Sequence, residues 1–374
     1  MTTQPKQRFT RLVRELPAAI PFVAPDTLER RSGRKLRLRL GANEGLFGPS
    51  PRVRDEMQAA VEQVGLYGDP ESAALRQELA RVHGVAIENI VVTCGIDDLL
   101  GLAVRAFVEP GASSVTSLGA YPTFNYHVLG FGGQLHRVPY AEYHNDLAAL
   151  AGTARRVRAR LVYLANPDNP TGTWRTAWDI QAFVDELPDE ALLLLDEAYV
   201  EFAPSPAVPA IDAKDPRVLR MRTFSKAHGM AGARIGYGIA TADTIAAFDK
   251  IRHHFGVNRI AQAGALASLA DPTHVQFVVS SVAQGREQYN ELARSVGVRT
   301  LPSAANFVAM NMDSPERARA VLQALEARGV FVRTGAAPLD RLVRVTVAPP
   351  AERRDFARIF REVLSTEANL RAHA

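Results

Sequence analysis

The chain has 374 residues, 47% hydrophobic and 22% charged, the balance of a globular protein with a sizeable core and more than one domain. Its 44 basic residues face 40 acidic ones, and the densest basic stretches (30–39 and 155–160) alternate with apolar residues, which argues against a nucleic-acid-binding tail. A single cysteine, Cys94, excludes an intramolecular disulfide and a cysteine-based zinc site, and no metal is expected.

The first 25 residues are polar and broken by prolines, without the apolar core of a signal peptide. No later stretch is apolar for long enough to span a bilayer, so a cytoplasmic protein without membrane or nucleic-acid partners is expected. Short apolar runs then alternate with helical patterns. The runs are 90–93, 114–117, 134–139, 161–165, 191–195, 218–223 and 235–240, with helices predicted over 97–108, 121–130 and 176–187. This alternation predicts an α/β fold with a mostly parallel seven-stranded sheet sandwiched by helices. Leu192-Leu-Leu-Leu195 is apolar without alternation, as a strand buried on both faces should be. From about residue 272 the texture changes to an α+β unit: a helix over 275–296, a strand over 306–312, a helix over 315–328, strands over 330–333 and 342–347, and a helix over 351–364. The expected division is a large domain over 49–271 and a small one over 272–374, with segment 1–48 packing on the small one.

Ligands of open α/β sheets bind beyond the carboxyl ends of the strands. After 90–93 comes Cys94-Gly-Ile-Asp-Asp98, a glycine turn opening into a helix, where free N–H groups suit a phosphate. After 114–117 comes Gly119-Ala-Tyr-Pro122, which puts an aromatic ring at the sheet's edge. After 161–165 comes Asn166-Pro-Asp-Asn-Pro-Thr-Gly172, which by composition alone would be a turn. After 191–195 comes Asp196-Glu-Ala-Tyr199, and after 218–223 comes Phe224-Ser-Lys226, followed by Gly229, Gly232 and Arg234. The chain has only five lysines (Lys6, Lys35, Lys214, Lys226 and Lys250), and one at a buried strand end is uncommon unless paired or reacting. A phosphate cradle, an aromatic plate, an amide, a carboxylate and a lysine are what pyridoxal phosphate requires: an amine for its aldehyde, a carboxylate for its ring nitrogen, donors for its phenolate oxygen and a face for its ring.

These motifs, in this order, resemble fold-type I aminotransferases of class I/II, most closely the histidinol-phosphate aminotransferase branch. The resemblance runs from Leu40-Gly-Ala-Asn-Glu44 and Phe47-Gly-Pro-Ser-Pro51 to Leu342-Val-Arg-Val-Thr-Val347, with Asn169-Pro-Thr-Gly172, Asp196-Glu-Ala-Tyr199, Ser225-Lys226 and Arg234 as its most specific parts. It implies that Lys226 carries the cofactor as a Schiff base and shuttles the Cα proton. Asp196 would hold the ring-nitrogen proton, Asn169 and Tyr199 the phenolate oxygen, and Tyr121 the ring. The turn Gly95, Ile96 and Asp97, with Ser225 and Arg234, would take the cofactor phosphate. Tyr67 resembles the tyrosine that reaches that phosphate from a partner subunit, which implies a homodimer with shared sites. Arg344 matches the arginine that grips the substrate carboxylate, Asn43 lies nearby, and Arg333 matches a position that helps hold the phosphate of histidinol phosphate; a 2-oxo acid would accept the amino group.

Three stretches depart from the branch: Pro21-Phe22 in place of Pro-Tyr, Gly45-Leu-Phe47 after Asn43-Glu44, and Thr334-Gly-Ala-Ala-Pro-Leu339 after Arg333. An aminotransferase for aromatic or other amino acids shares the motifs. So does a phosphothreonine decarboxylase-like lyase. A non-catalytic regulator on this fold is disfavoured, because Lys226 and Asp196 are both present.

Overall fold

The computed structural model describes residues 8–16 and 24–372; Pro21-Phe22 lies outside the described residues. Its seven-stranded sheet runs, edge to edge, Ile90–Thr93, Gly236–Ile239, Val218–Thr223, Leu192–Asp196, Leu161–Ala165, Ser113–Ser117 and Gln134–Val138. Gly236–Ile239 is antiparallel to both of its neighbours, and the pairings from Val218–Thr223 onward are parallel. Since Ile90–Thr93 and Val218–Thr223 both oppose the same strand, they point the same way. The carboxyl ends at Thr93, Ser117, Ala165, Asp196 and Thr223 therefore share one edge of the sheet.

The central strands are buried along their whole length, as a sheet covered on both faces requires. One face packs against the helices Ile96–Phe107, Thr123–Gly130 and Ala242–Asp249 through Leu99, Val104, Phe124, Leu194 and Phe248. The other packs Val162, Leu164, Leu193 and Leu195 against Leu150, Ile180 and Phe183 of the helices Leu147–Val157 and Ala177–Asp185. Fully burying an aliphatic side chain of this size is worth about 1.5–3 kcal/mol, so these two layers hold the site edge rigid.

Beyond Leu269 the chain builds a four-stranded antiparallel sheet, ordered Arg333–Thr334, Leu342–Thr346, Phe307–Asn311 and Arg299–Thr300, against the helices Pro272–Ser295, Pro315–Glu326 and Pro350–Ala372. The expected single strand over 330–333 is instead two strands. Val330–Phe331 pairs in parallel with Leu38–Arg39, and Arg333–Thr334 joins the four-stranded sheet. Val332, buried between them, marks the point where the chain crosses from one sheet to the other. Leu38 and Leu40 enter the same core as Phe307, Val345 and Phe356, with Leu46 and Phe47 packed against it, and between them the chain passes close to Lys226. Gly45 makes this possible: a Cβ there would lie 2.2 Å from the Lys226 carbonyl oxygen.

Candidate active site

The shared strand edge and the four-stranded sheet enclose a cleft of about 800 Å³, lined among others by Asn43, Ile96, Asp97, Tyr121, Asn169, Asp196, Tyr199, Ser225, Lys226, Arg234, Arg333 and Arg344. All of the residues expected from the sequence line it except Gly95, which caps the helix just before Ile96, and Tyr67. Tyr67 is 81% exposed, outside the cleft, and packs on Phe255 with ring centroids 4.8 Å apart.

Lys226 follows the end of Val218–Thr223, and its Nζ donates to the Asn43 carbonyl at 2.9 Å. Burial first, and then the charge of Arg344, lower its pKa to about 8, so a neutral amine is accessible near physiological pH. Asp196 ends the neighbouring strand. Its Oδ2 accepts from the Tyr163 hydroxyl at 2.7 Å and its Oδ1 from the Ala198 N–H at 3.0 Å. Burial dominates and raises its pKa to about 6, against those two donors. Tyr199, three residues on, accepts from Asn43 Nδ2 at 2.9 Å, and burial raises its pKa to about 12.

The Gly95 turn has φ +84°, which favours glycine, and a Cβ there would come within 2.6 Å of Arg234 Nη2. Removing that Cβ lets a guanidinium lie against the first turn of Ile96–Phe107, a pairing of N–H donors and cation that fits a dianion. Arg234 also reaches Asp97 Oδ2 at 3.4 Å, and Asp97 Oδ1 accepts from the Tyr121 hydroxyl at 2.9 Å, which ties the aromatic plate to the cradle. Ser225 Oγ accepts from Thr223 Oγ1 at 2.9 Å, leaving its own proton to donate. Arg344 Nη1 donates to Asn169 Oδ1 and its Nη2 to the Gly41 carbonyl at 3.2 Å, while Nε is buried with no partner. A buried lysine of lowered pKa, a buried carboxylate of raised pKa, a glycine cradle and an arginine with an unsatisfied donor fit the aldehyde, ring nitrogen and phosphate of pyridoxal phosphate and an anionic substrate.

The sequence reading missed Tyr163. It lies in the middle of an apolar run, where a tyrosine reads as core, and only the folded register, which pairs Ala165 with Asp196, brings its hydroxyl to that carboxylate. Glu197 was read only as part of a motif. It points away from the cleft and is buried with Arg220, at 2.5 and 3.0 Å, and Arg222, at 2.8 Å.

Residues 37–359 match the family model for aminotransferase class I and II. The chain belongs to this family. A histidinol-phosphate aminotransferase of Carboxydothermus hydrogenoformans is 34% identical over 92% of this chain and 96% of its own length. One from Mesorhizobium japonicum is 36% identical over 87% of this chain and 90% of its own. The crystal structure of histidinol-phosphate aminotransferase from Sinorhizobium meliloti in complex with pyridoxal 5'-phosphate superposes with a TM-score of 0.93 at 48% identity, covering 96% of this chain and 98% of that one. This aminotransferase is a pyridoxal-phosphate enzyme with the fold-type I architecture; the lyase alternative is not favoured. Among its described residues, no helix is long and apolar enough to cross a membrane.

Proposed function

We propose that this aminotransferase takes histidinol phosphate as amino donor and a 2-oxo acid such as 2-oxoglutarate as acceptor. The observation that carries this reading is the pairing of Arg333 with Arg344 on adjacent strands at the cleft, two guanidinium groups where a phosphate dianion needs more than one. The relatives of that name support it.

Pyridoxal phosphate, when bound, supplies an aldehyde and an electron-withdrawing ring. Lys226 Nζ would hold that aldehyde and would serve as the acid–base group for the proton at the substrate Cα. Asp196 holds the proton at the ring nitrogen. Asn169 and Tyr199 donate to the phenolate oxygen, Tyr121 covers the ring, and the Gly95–Asp97 turn with Ser225 and Arg234 binds the cofactor phosphate. Asn43 keeps Tyr199 and Lys226 in register through the two hydrogen bonds it makes with them.

The protein works, on this reading, as a cytoplasmic homodimer in which Tyr67 completes the partner's phosphate site. Its exposure beside Leu66 and Phe255, both also exposed, supports that placement. The large domain spans 49–271 and the small domain 272–374 with segment 1–48, a division supported by the pairing of Leu38–Arg39 with Val330–Phe331.

The test is a single-turnover titration of the holoenzyme with histidinol phosphate, phenylalanine and tyrosine, following conversion of the bound cofactor to its pyridoxamine form. Conversion by histidinol phosphate at the lowest concentration is expected. Conversion by an aromatic amino acid alone would replace this substrate with that one.

A further inference from the structure

The Tyr163 side chain has no part in the assignments above, yet its hydroxyl touches the carboxylate on which they depend. It stands in the middle of Leu161–Ala165, is 1% exposed, and stacks on the fully buried Phe124 with centroids 5.3 Å apart and planes 16° from parallel. Tyr163 is among the residues lining the cleft, and its hydroxyl donates to Asp196 Oδ2 at 2.7 Å. Burial and the neighbouring Asp196 charge push the tyrosine pKa well up, so it stays a donor at any working pH.

We propose that Tyr163 is a positioning residue of the transamination site: by donating to Asp196, it keeps the proton shared by that carboxylate and the cofactor's ring nitrogen on the nitrogen. The inference rests on the assignment of Asp196 to the ring nitrogen.

The physical reason is a competition between two forms of one hydrogen-bonded pair. In a dry site, a carboxylate facing a pyridinium competes with a neutral acid facing a neutral pyridine, and desolvation favours the neutral form. Hydrogen bonds to the carboxylate favour the charged form. Asp196 has a backbone donor, Ala198 N–H on Oδ1, and a side-chain donor, Tyr163 on Oδ2. Burial already pulls Asp196 towards the protonated state, Asp97 pulls the same way, and Lys226 opposes it. Removing the Tyr163 donor makes Asp196 more basic, and the shared proton moves from nitrogen to carboxylate oxygen. A phenylalanine would fill the same slot against Phe124, so packing alone does not require the hydroxyl.

The holoenzyme is prepared with pyridoxal phosphate carrying nitrogen-15 in the ring, as wild type, Tyr163→Phe and Asp196→Asn. The ring resonance in Tyr163→Phe should move from the pyridinium position towards that of unprotonated pyridine. The kcat should fall roughly tenfold or more with KM nearly unchanged, the scale of one hydrogen bond to a charged group. Incorporating 4-aminophenylalanine at position 163, a weaker donor in the same packing, should move the resonance part of the way towards unprotonated pyridine; it serves if Tyr163→Phe does not fold, and a wild-type resonance there overturns the role of Tyr163. A wild-type resonance in Tyr163→Phe, with a moved one in Asp196→Asn, overturns the role of Tyr163 alone. An unmoved resonance in Asp196→Asn overturns the assignment of Asp196 and the inference with it.

Discussion

Arg333 and Arg344 are direct cross-strand partners in the antiparallel pair formed by Arg333–Thr334 and Leu342–Thr346. Like charges placed opposite each other are destabilising, and here burial and mutual repulsion lower the pKa of Arg344. Burial also lowers that of Arg333. Such a pair is tolerable where an anion joins it. With histidinol phosphate as substrate, Arg333→Ala and Arg344→Ala should each lower kcat/KM by roughly 2–3 kcal/mol, mostly through KM, as expected for a charge-assisted contact. With an ordinary amino acid as substrate, Arg344→Ala would be crippling and Arg333→Ala nearly silent. Steady-state kinetics of the two variants on both substrate types separates these outcomes.

The buried Asp196 makes the apoenzyme's stability depend on pH. Its folded pKa of about 6 lies above the ordinary carboxylate value, so the native state binds the extra proton between about pH 4 and 6. The stabilisation is full below pH 4 and is lost as pH rises through 6. Asp196→Asn, which carries no charge to desolvate, should therefore gain on the wild-type apoenzyme as pH rises from 4 to 7. The gain is on the order of 2–3 kcal/mol. Thermal melts of both apo forms across that range provide the check, and parallel curves would contradict it.

Glu197 is adjacent to Asp196 but serves a different purpose. Its carboxylate is 1% exposed, and the charges of Arg222 and Arg220 hold its pKa below the usual range despite desolvation. Glu197→Ala would leave the buried Arg220 and the partly buried Arg222 without their shared partner, which costs about 3–5 kcal/mol. Denaturant midpoints should fall accordingly, whereas any protein that does fold should keep the cofactor spectrum of wild type.

If Tyr67 completes the partner's site, two inactive variants can repair each other. Refolding Tyr67→Ala together with Lys226→Ala yields hybrid dimers with one intact site each. Random mixing makes about half of the dimers hybrid, so about a quarter of wild-type activity should return. Activity no higher than that of the separate variants would argue for sites built within one chain.

Much of the site was legible because its residues stand at strand ends. Lys226, Asp196 and Asn169 each follow an apolar run whose length and flanking turns mark a strand, and the parallel order then collects them. Tyr163 was illegible for the opposite reason: a tyrosine within such a run reads as core until the register places its hydroxyl against Asp196. The bend at Val332 was likewise invisible, since 330–333 is a continuous strand pattern and its division depends on Leu38–Arg39, nearly 300 residues earlier. Helices such as Arg259–Leu269, rich in alanine and weak in periodicity, take their burial from Pro51–Val61 and Ala73–His83 rather than from a pattern of their own.

The central claim is that Lys226 carries the cofactor, and one chemical measurement addresses it directly. Reduction of the holoenzyme with borohydride fixes the pyridoxyl group to the amine that holds it. Trypsin cannot cleave after a modified lysine, so residues 223–234 should survive as one peptide, Thr223 to Arg234, bearing the label. Label on Lys6, Lys35, Lys214 or Lys250, with cleavage after Lys226 intact, would contradict the account.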